Sequence, residues 1–85
     1  MIGNIDQLAK EIQKQFGLEF CVPRMISDDM IKVEFAAHRD IDGLQLVGPV
    51  GLELNKRIRP FRIVKSVMND VDESSYLVLE YYISI

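Results

Sequence analysis

The sequence predicts an α+β fold, in which an N-terminal helix packs on an antiparallel sheet of four or five strands. Three observations carry this expectation. An apolar stripe at helical spacing opens the chain, two alternating runs follow around a short turn, and a longer alternating pair fills the last third. At 85 residues the chain is short enough to be read as a single domain over 1–85.

The helix is the clearest element. Ile5, Leu8, Ala9, Ile12 and Phe16 recur on one face. Asn4, with Gln7 three residues later, has the pattern of a capping box. Asp6 and Lys14 complement the two ends of the helix dipole, and Gly17 is a natural stop. A helix of about 13 residues is too short to stand alone in water, so it must lie on a sheet.

Leu18 to Met25 and Met30 to Ala37 read as the first hairpin, around Ile26-Ser27-Asp28-Asp29. Pairing Leu18 with Ala37, Phe20 with Phe35 and Val22 with Val33 matches apolar residues. A one-residue slip would set Phe20 against Glu34 and Val22 against Lys32. Pro23 cannot donate to a ladder, which places this strand at an edge. Asp40-Ile41-Asp42-Gly43 has turn composition. From Leu44 to Ile58 the alternation of Leu44, Leu46, Val50, Leu52 and Leu54 favours a strand broken at Gly48-Pro49. A short helix opened by Pro49 competes, weakened by Gly51.

In the last third, Phe61, Ile63 and Val67 share one face of a strand, and Leu77, Leu79, Tyr81, Ile83 and Ile85 share one face of the next. The expected pairs are Val67 with Leu77, Ile63 with Tyr81 and Phe61 with Ile83, across a polar loop from Asn69 to Ser75. The sequence contains no internal repeat or low-complexity tract.

Composition narrows the classes of function. Hydrophobic residues make up 48% and charged residues 27%, which fits neither a disordered chain nor a membrane-embedded one. The uncharged stretch Leu44 to Leu52 is far shorter than a spanning helix requires. Asp6, Lys10, Glu11 and Lys14 interrupt Met1 to Phe16, unlike a secretory signal. A cytoplasmic location and no membrane partner are the expectations. The single cysteine can form no internal disulfide and fits a reducing compartment.

Net charge is −3, against a general nucleic-acid binder. The charge is unevenly spread: residues 1–55 hold five basic and nine acidic groups, and 66–85 hold four acids and no base. Lys56, Arg57, Arg59, Arg62 and Lys65 lie within ten residues that contain no acid.

Catalytic and metal chemistry finds little support. One His and one Cys cannot supply a structural zinc site. Asp40 with Asp42, and Asp70 with Asp72 and Glu73, lack calcium-loop spacing and read as solvated turns. Gly43 and Gly48 have the spacing of a phosphate loop, yet Pro49 and Val50 stand where Lys and Ser or Thr belong. In the expected register Cys21 lies opposite Glu34, roughly 13 Å along the strand from His38, too far for a nucleophile–base pair. Ser27, Ser66, Ser74 and Ser75 have no second histidine to activate them. No catalytic residue, metal or cofactor is expected.

Two surfaces remain. The outer face of the C-terminal hairpin carries Val64, Met68, Tyr76, Val78 and Tyr82 among Arg62, Ser66, Glu80 and Ser84, and one helix cannot cover both sides of a sheet. Such a tyrosine-rich apolar face has interface composition. Its competing cover is the 44–58 segment folding across it. The second surface is the basic run, a contact for phosphate with Tyr76 and Tyr82 near enough to stack on bases. A plainer reading makes it a charged strand that discourages edge-to-edge association. The expectation is therefore a non-enzymatic interaction or assembly module that self-associates or binds another protein. A nucleic-acid-associated module using 56–65 is the alternative, and an enzyme with a site formed between subunits ranks third.

Overall fold

The computed structural model describes residues 4–70 and 76–85, and the element order is α1 (Ile5–Phe16), β1 (Cys21–Ser27), β2 (Met30–His38), α2 (Ile41–Arg57), β3 (Arg62–Asp70) and β4 (Tyr76–Ser84). The four strands form one antiparallel sheet in the order β1-β2-β4-β3. The fold is thus α+β, with the N-terminal helix first. Strands β2 and β3 run parallel with β4 between them and are joined through α2, a split β-α-β unit. The element order α-β-β occurs twice. The two units meet along β2 and β4, whose midpoints Glu34 and Glu80 are directly paired.

Helix α1 forms where its stripe predicts, burying Leu8, Ala9 and Ile12. Gly17 closes it at φ 64°, in the left-handed region that favours glycine, and the Gly17 amide donates to Gln13. The expected Asn4 side-chain cap is not made.

The middle segment is a correction: residues 44–58 belong to α2 and the turn after it, not to a broken strand. The Asp40 carboxylate accepts the Gly43 amide at 2.7 Å, so the supposed turn is a helix cap. Asp42 in the first turn and Lys56 and Arg57 in the last complement the helix dipole. Val50, Leu54 and Ile58 are each 1% exposed and fall at four-residue spacing, with Leu46 and Val47 half-buried beside them. The glycines that weaken the helix locally permit close packing. A Cβ on Gly43 would overlap the His38 carbonyl, and one on Gly51 would lie 2.9 Å from the Tyr81 hydroxyl oxygen.

Both helices lie on one side of the sheet. Beneath them Ile31, Val33, Phe35 and Ala37 of β2 and Leu77, Leu79, Tyr81 and Ile83 of β4 form the core. Phe35 and Tyr81 stack with ring centroids 5.6 Å apart. The Tyr81 hydroxyl donates to the Val47 carbonyl at 3.0 Å, fixing α2 over β4.

Both hairpin registers differ from expectation. In the first, Cys21 pairs with Phe35, Pro23 with Val33 and Met25 with Ile31, so Cys21 turns inward and Val22 outward. The cause is a tighter turn: Ser27 pairs directly with Met30, its hydroxyl donates to Asp29 at 2.7 Å, and an irregularity between Met25 and Ser27 shifts the ladder. In the second, Ile63 pairs with Ile83 but Ser66 with Tyr81 and Met68 with Leu79, with the register shift between Ile63 and Lys65. Val67 therefore pairs with Glu80, not Leu77. The loop expected over Asn69 to Ser75 starts later, since Asn69 and Asp70 belong to β3, and its remainder lies outside the described residues.

Candidate interaction surfaces

The residues chosen from sequence as one hairpin face are divided between two. Tyr76, Val78 and Tyr82 alternate with inward residues of β4 and share the side of the sheet away from the helices. Met68, paired with the inward Leu79, lies on the helix side. Val64 is the extra residue of the bulge, between the inward Ile63 and the outward Lys65. The bulge re-aims the strand, and no pattern of residue types announced it.

The outer sheet face is built in rows across the strands. One row runs Arg24, Lys32, Tyr82, Lys65, and the next runs Val22, Glu34, Glu80, Val67. Lys32 Nζ lies 2.8 Å from Glu34 and 3.7 Å from Glu80, bridging two carboxylates that face each other across the central strands. The pairing with Glu34 raises the Lys32 pKa. Tyr82 donates its hydroxyl to Glu80 at 3.1 Å, and Lys65 Nζ sits 5.4 Å from the Tyr82 ring centroid. Lys65 stands beside Tyr82, and Arg62 pairs with Ser84. At one end of this face His38 and Tyr76 pack with centroids 4.5 Å apart.

The basic run does not act as one patch. Arg57 turns to α1 and pairs with Glu11, holding that carboxyl below its ordinary pKa chiefly through their hydrogen bond. Lys56 and Arg59 are exposed near the end of α2, while Arg62 and Lys65 lie on the outer sheet face. The outer face thus gathers Arg24, Lys32, Arg62 and Lys65 around Tyr82, a set that reading along the chain missed because Arg24 and Lys32 come from the other hairpin.

The edge strand β3 exposes further apolar residues. Val64 and Met68 are 46% and 53% exposed, and Ser66 between them is open. The flank of α2 away from α1 carries Leu44, 45% exposed, one heptad before Gly51. Leu52 is also exposed. Val64 and Met68 are thus exposed apolar residues of an edge strand, and Leu44 and Leu52 exposed apolar residues of α2.

Cys21 and His38 do not meet. Cys21 is buried on the helix side, and desolvation pushes its pKa up to about 11. His38 is exposed and projects from the other face. Asp40 is committed to capping α2. Among the described residues no three His, Cys, Asp or Glu side chains converge as metal ligands, and Asp72 and Glu73 of the acidic group with Asp70 lie outside them. No described helix is long and apolar enough to cross a membrane. No family model, curated protein or solved structure matches the chain.

Proposed function

We propose that this protein is a non-enzymatic interaction module that self-associates through its C-terminal hairpin, in a reducing, cytoplasmic setting. The carrying observation is that the edge strand β3 leaves Val64 and Met68 46% and 53% exposed. Exposed apolar side chains grouped at an uncovered sheet margin are the usual mark of a docking surface. Sedimentation at micromolar concentration is expected to give a dimer or larger species. A monomer across a wide concentration range would remove this reading.

A second reading rests on the outer-face row of Arg24, Lys32, Tyr82 and Lys65, in which cations flank an aromatic ring. A single-stranded nucleic acid would track the cations and stack on Tyr82. Glu34 and Glu80 neutralise much of that charge, so binding is expected to be weak at about 150 mM salt. Tight binding there, lost in Arg62→Glu with Lys65→Glu, would put this reading first.

A further inference from the structure

We infer that the outer face of the sheet packs on the same face of a second copy, about a two-fold axis that crosses the strands midway between the Glu34–Glu80 row and the Lys32–Tyr82 row. This inference rests on the self-association reading and names the face it uses. Both helices lie on the opposite side of the sheet, and no other described element covers this one. It carries Val22 on β1, Val67 on β3 and Tyr76, Val78 and Tyr82 on β4. The helix and sheet layers stack along the shortest dimension of the molecule, so the face is bounded by the two longer ones, 35 × 23 Å. That outline is close to the ~800 Å² that each partner contributes to a standard interface.

The charges select the occupant. Within one copy two carboxylates share one ammonium, Lys32 Nζ lying 2.8 Å from Glu34 and 3.7 Å from Glu80. Arg24 and Lys65 end the basic row, beside Val22 and Val67, which end the acidic one. A two-fold axis between the rows lays each row on its complement in the other copy. Glu34 then meets the other copy's Lys32, and Glu80 meets its Tyr82. Val22 and Val67 lie against the stems of Arg24 and Lys65. The flanking rows match as well, Ala36 facing Met30 and Asn69 facing Arg62. Other axes set like on like. Placed on the acidic row, the axis puts Glu34 on Glu34; placed on the basic row, it puts Lys32 on Lys32. Run along the strands between β2 and β4, it sets Glu34 against Glu80 and Arg24 against Lys65. A polyanion would satisfy the basic row and meet the carboxylates beside it, whereas a second copy answers both rows. Such a contact is isologous and closes at two copies. The result is a helix–sheet–sheet–helix sandwich with its sheets about 10 Å apart.

Val67→Lys and Val67→Glu test the axis. Val67 pairs with Glu80 of its own chain and would face Lys65 of the other. The new ammonium of Val67→Lys neighbours Glu80, which suits the monomer, but it meets a like charge across the interface. Sedimentation is expected to show its dimer weakened about tenfold or more. Val67→Glu removes the same valine yet faces an opposite charge, and is expected to stay dimeric at micromolar concentration. Val22→Lys and Val22→Glu, beside Glu34 and facing Arg24, repeat the comparison at the other end of the row. Met68→Asp, on the helix side, is expected to leave the dimer intact. A parent dimer lost equally in the lysine and glutamate variants, or lost only in Met68→Asp, overturns this axis and leaves self-association standing. A monomeric parent overturns both.

Discussion

Cys21 shows how a single register step decides a residue's chemistry. Turned inward beneath α1, its thiol is held neutral by desolvation, with a pKa near 11 against an ordinary 9. Alkylation by iodoacetamide at neutral pH is expected to be slower than for a free cysteine, and a faster rate would contradict the burial. The linkage has a definite sign. A folded-state pKa above the unfolded value gives stability that is complete below about pH 9 and is lost as pH rises toward 11. Burial raises the Tyr81 pKa as well, adding a loss of the same sign. Denaturant titrations across this range should show stability falling with pH, and Cys21→Ala should flatten part of the fall. Tyr81 also meets Gly51. Gly51→Ala is expected to cost ~1–3 kcal/mol, because the new methyl meets the hydroxyl at 2.9 Å. Tyr81→Phe should cost about 1 kcal/mol through the lost bond to Val47. If the hydroxyl is the obstacle, the alanine costs less in the phenylalanine background, and a double-mutant cycle would show it.

At the scale of elements, α2 was the least legible part of the sequence. Its alternating leucines imitate a strand, and Gly48, Pro49 and Gly51 each argue against a helix locally. The reasons for Gly43 and Gly51 lie in other elements, in the His38 backbone and the Tyr81 ring, which no local window contains. Helix α1 was legible because its stripe, its charges and Gly17 all agree. Strand existence was legible too, but register was not: the irregularities at Ile26 and Val64 each displaced pairs that residue types alone made attractive. For the same reason the expected interface divided, Met68 going to the helix side and Tyr76, Val78 and Tyr82 to the open one, with Val64 in the bulge. Two substitutions test α2. Asp40→Ala should cost about 1 kcal/mol as the cap to Gly43 is lost. Pro49→Ala should stabilise, since Pro49 is exposed inside the helix and lacks the amide that would bond one turn back. Thermal melts would read both, and a destabilised Pro49→Ala would mean that the local bend at proline is itself needed for packing.

The whole molecule depends on the seam between its two α-β-β units. On the inner side the seam is apolar, and on the outer side Glu34 directly faces Glu80. Like charges directly opposite oppose pairing, and Lys32 offsets them. Lys32→Met is therefore expected to destabilise the protein at pH 7, and to cost less in a Glu80→Gln background, where one of the facing charges is gone. An equal cost in both backgrounds would mean that Lys32 acts through packing of its stem.

The seam also sets a schedule for biosynthesis. Residues that pair across it, such as Glu34 and Glu80, are 46 positions apart in the chain. At about 5–20 residues per second, the ribosome finishes β2 some seconds before it supplies β4, the strand β2 must pair with. During that interval α1, β1 and β2 can assemble, but the long edge of β2 has no mate and its apolar face has only half its cover. The nascent chain in that state is a target for chaperones or for premature pairing with a neighbouring copy. Slower decoding across α2 would lengthen this exposure, and codon changes there are expected to alter soluble yield without changing a single amino acid.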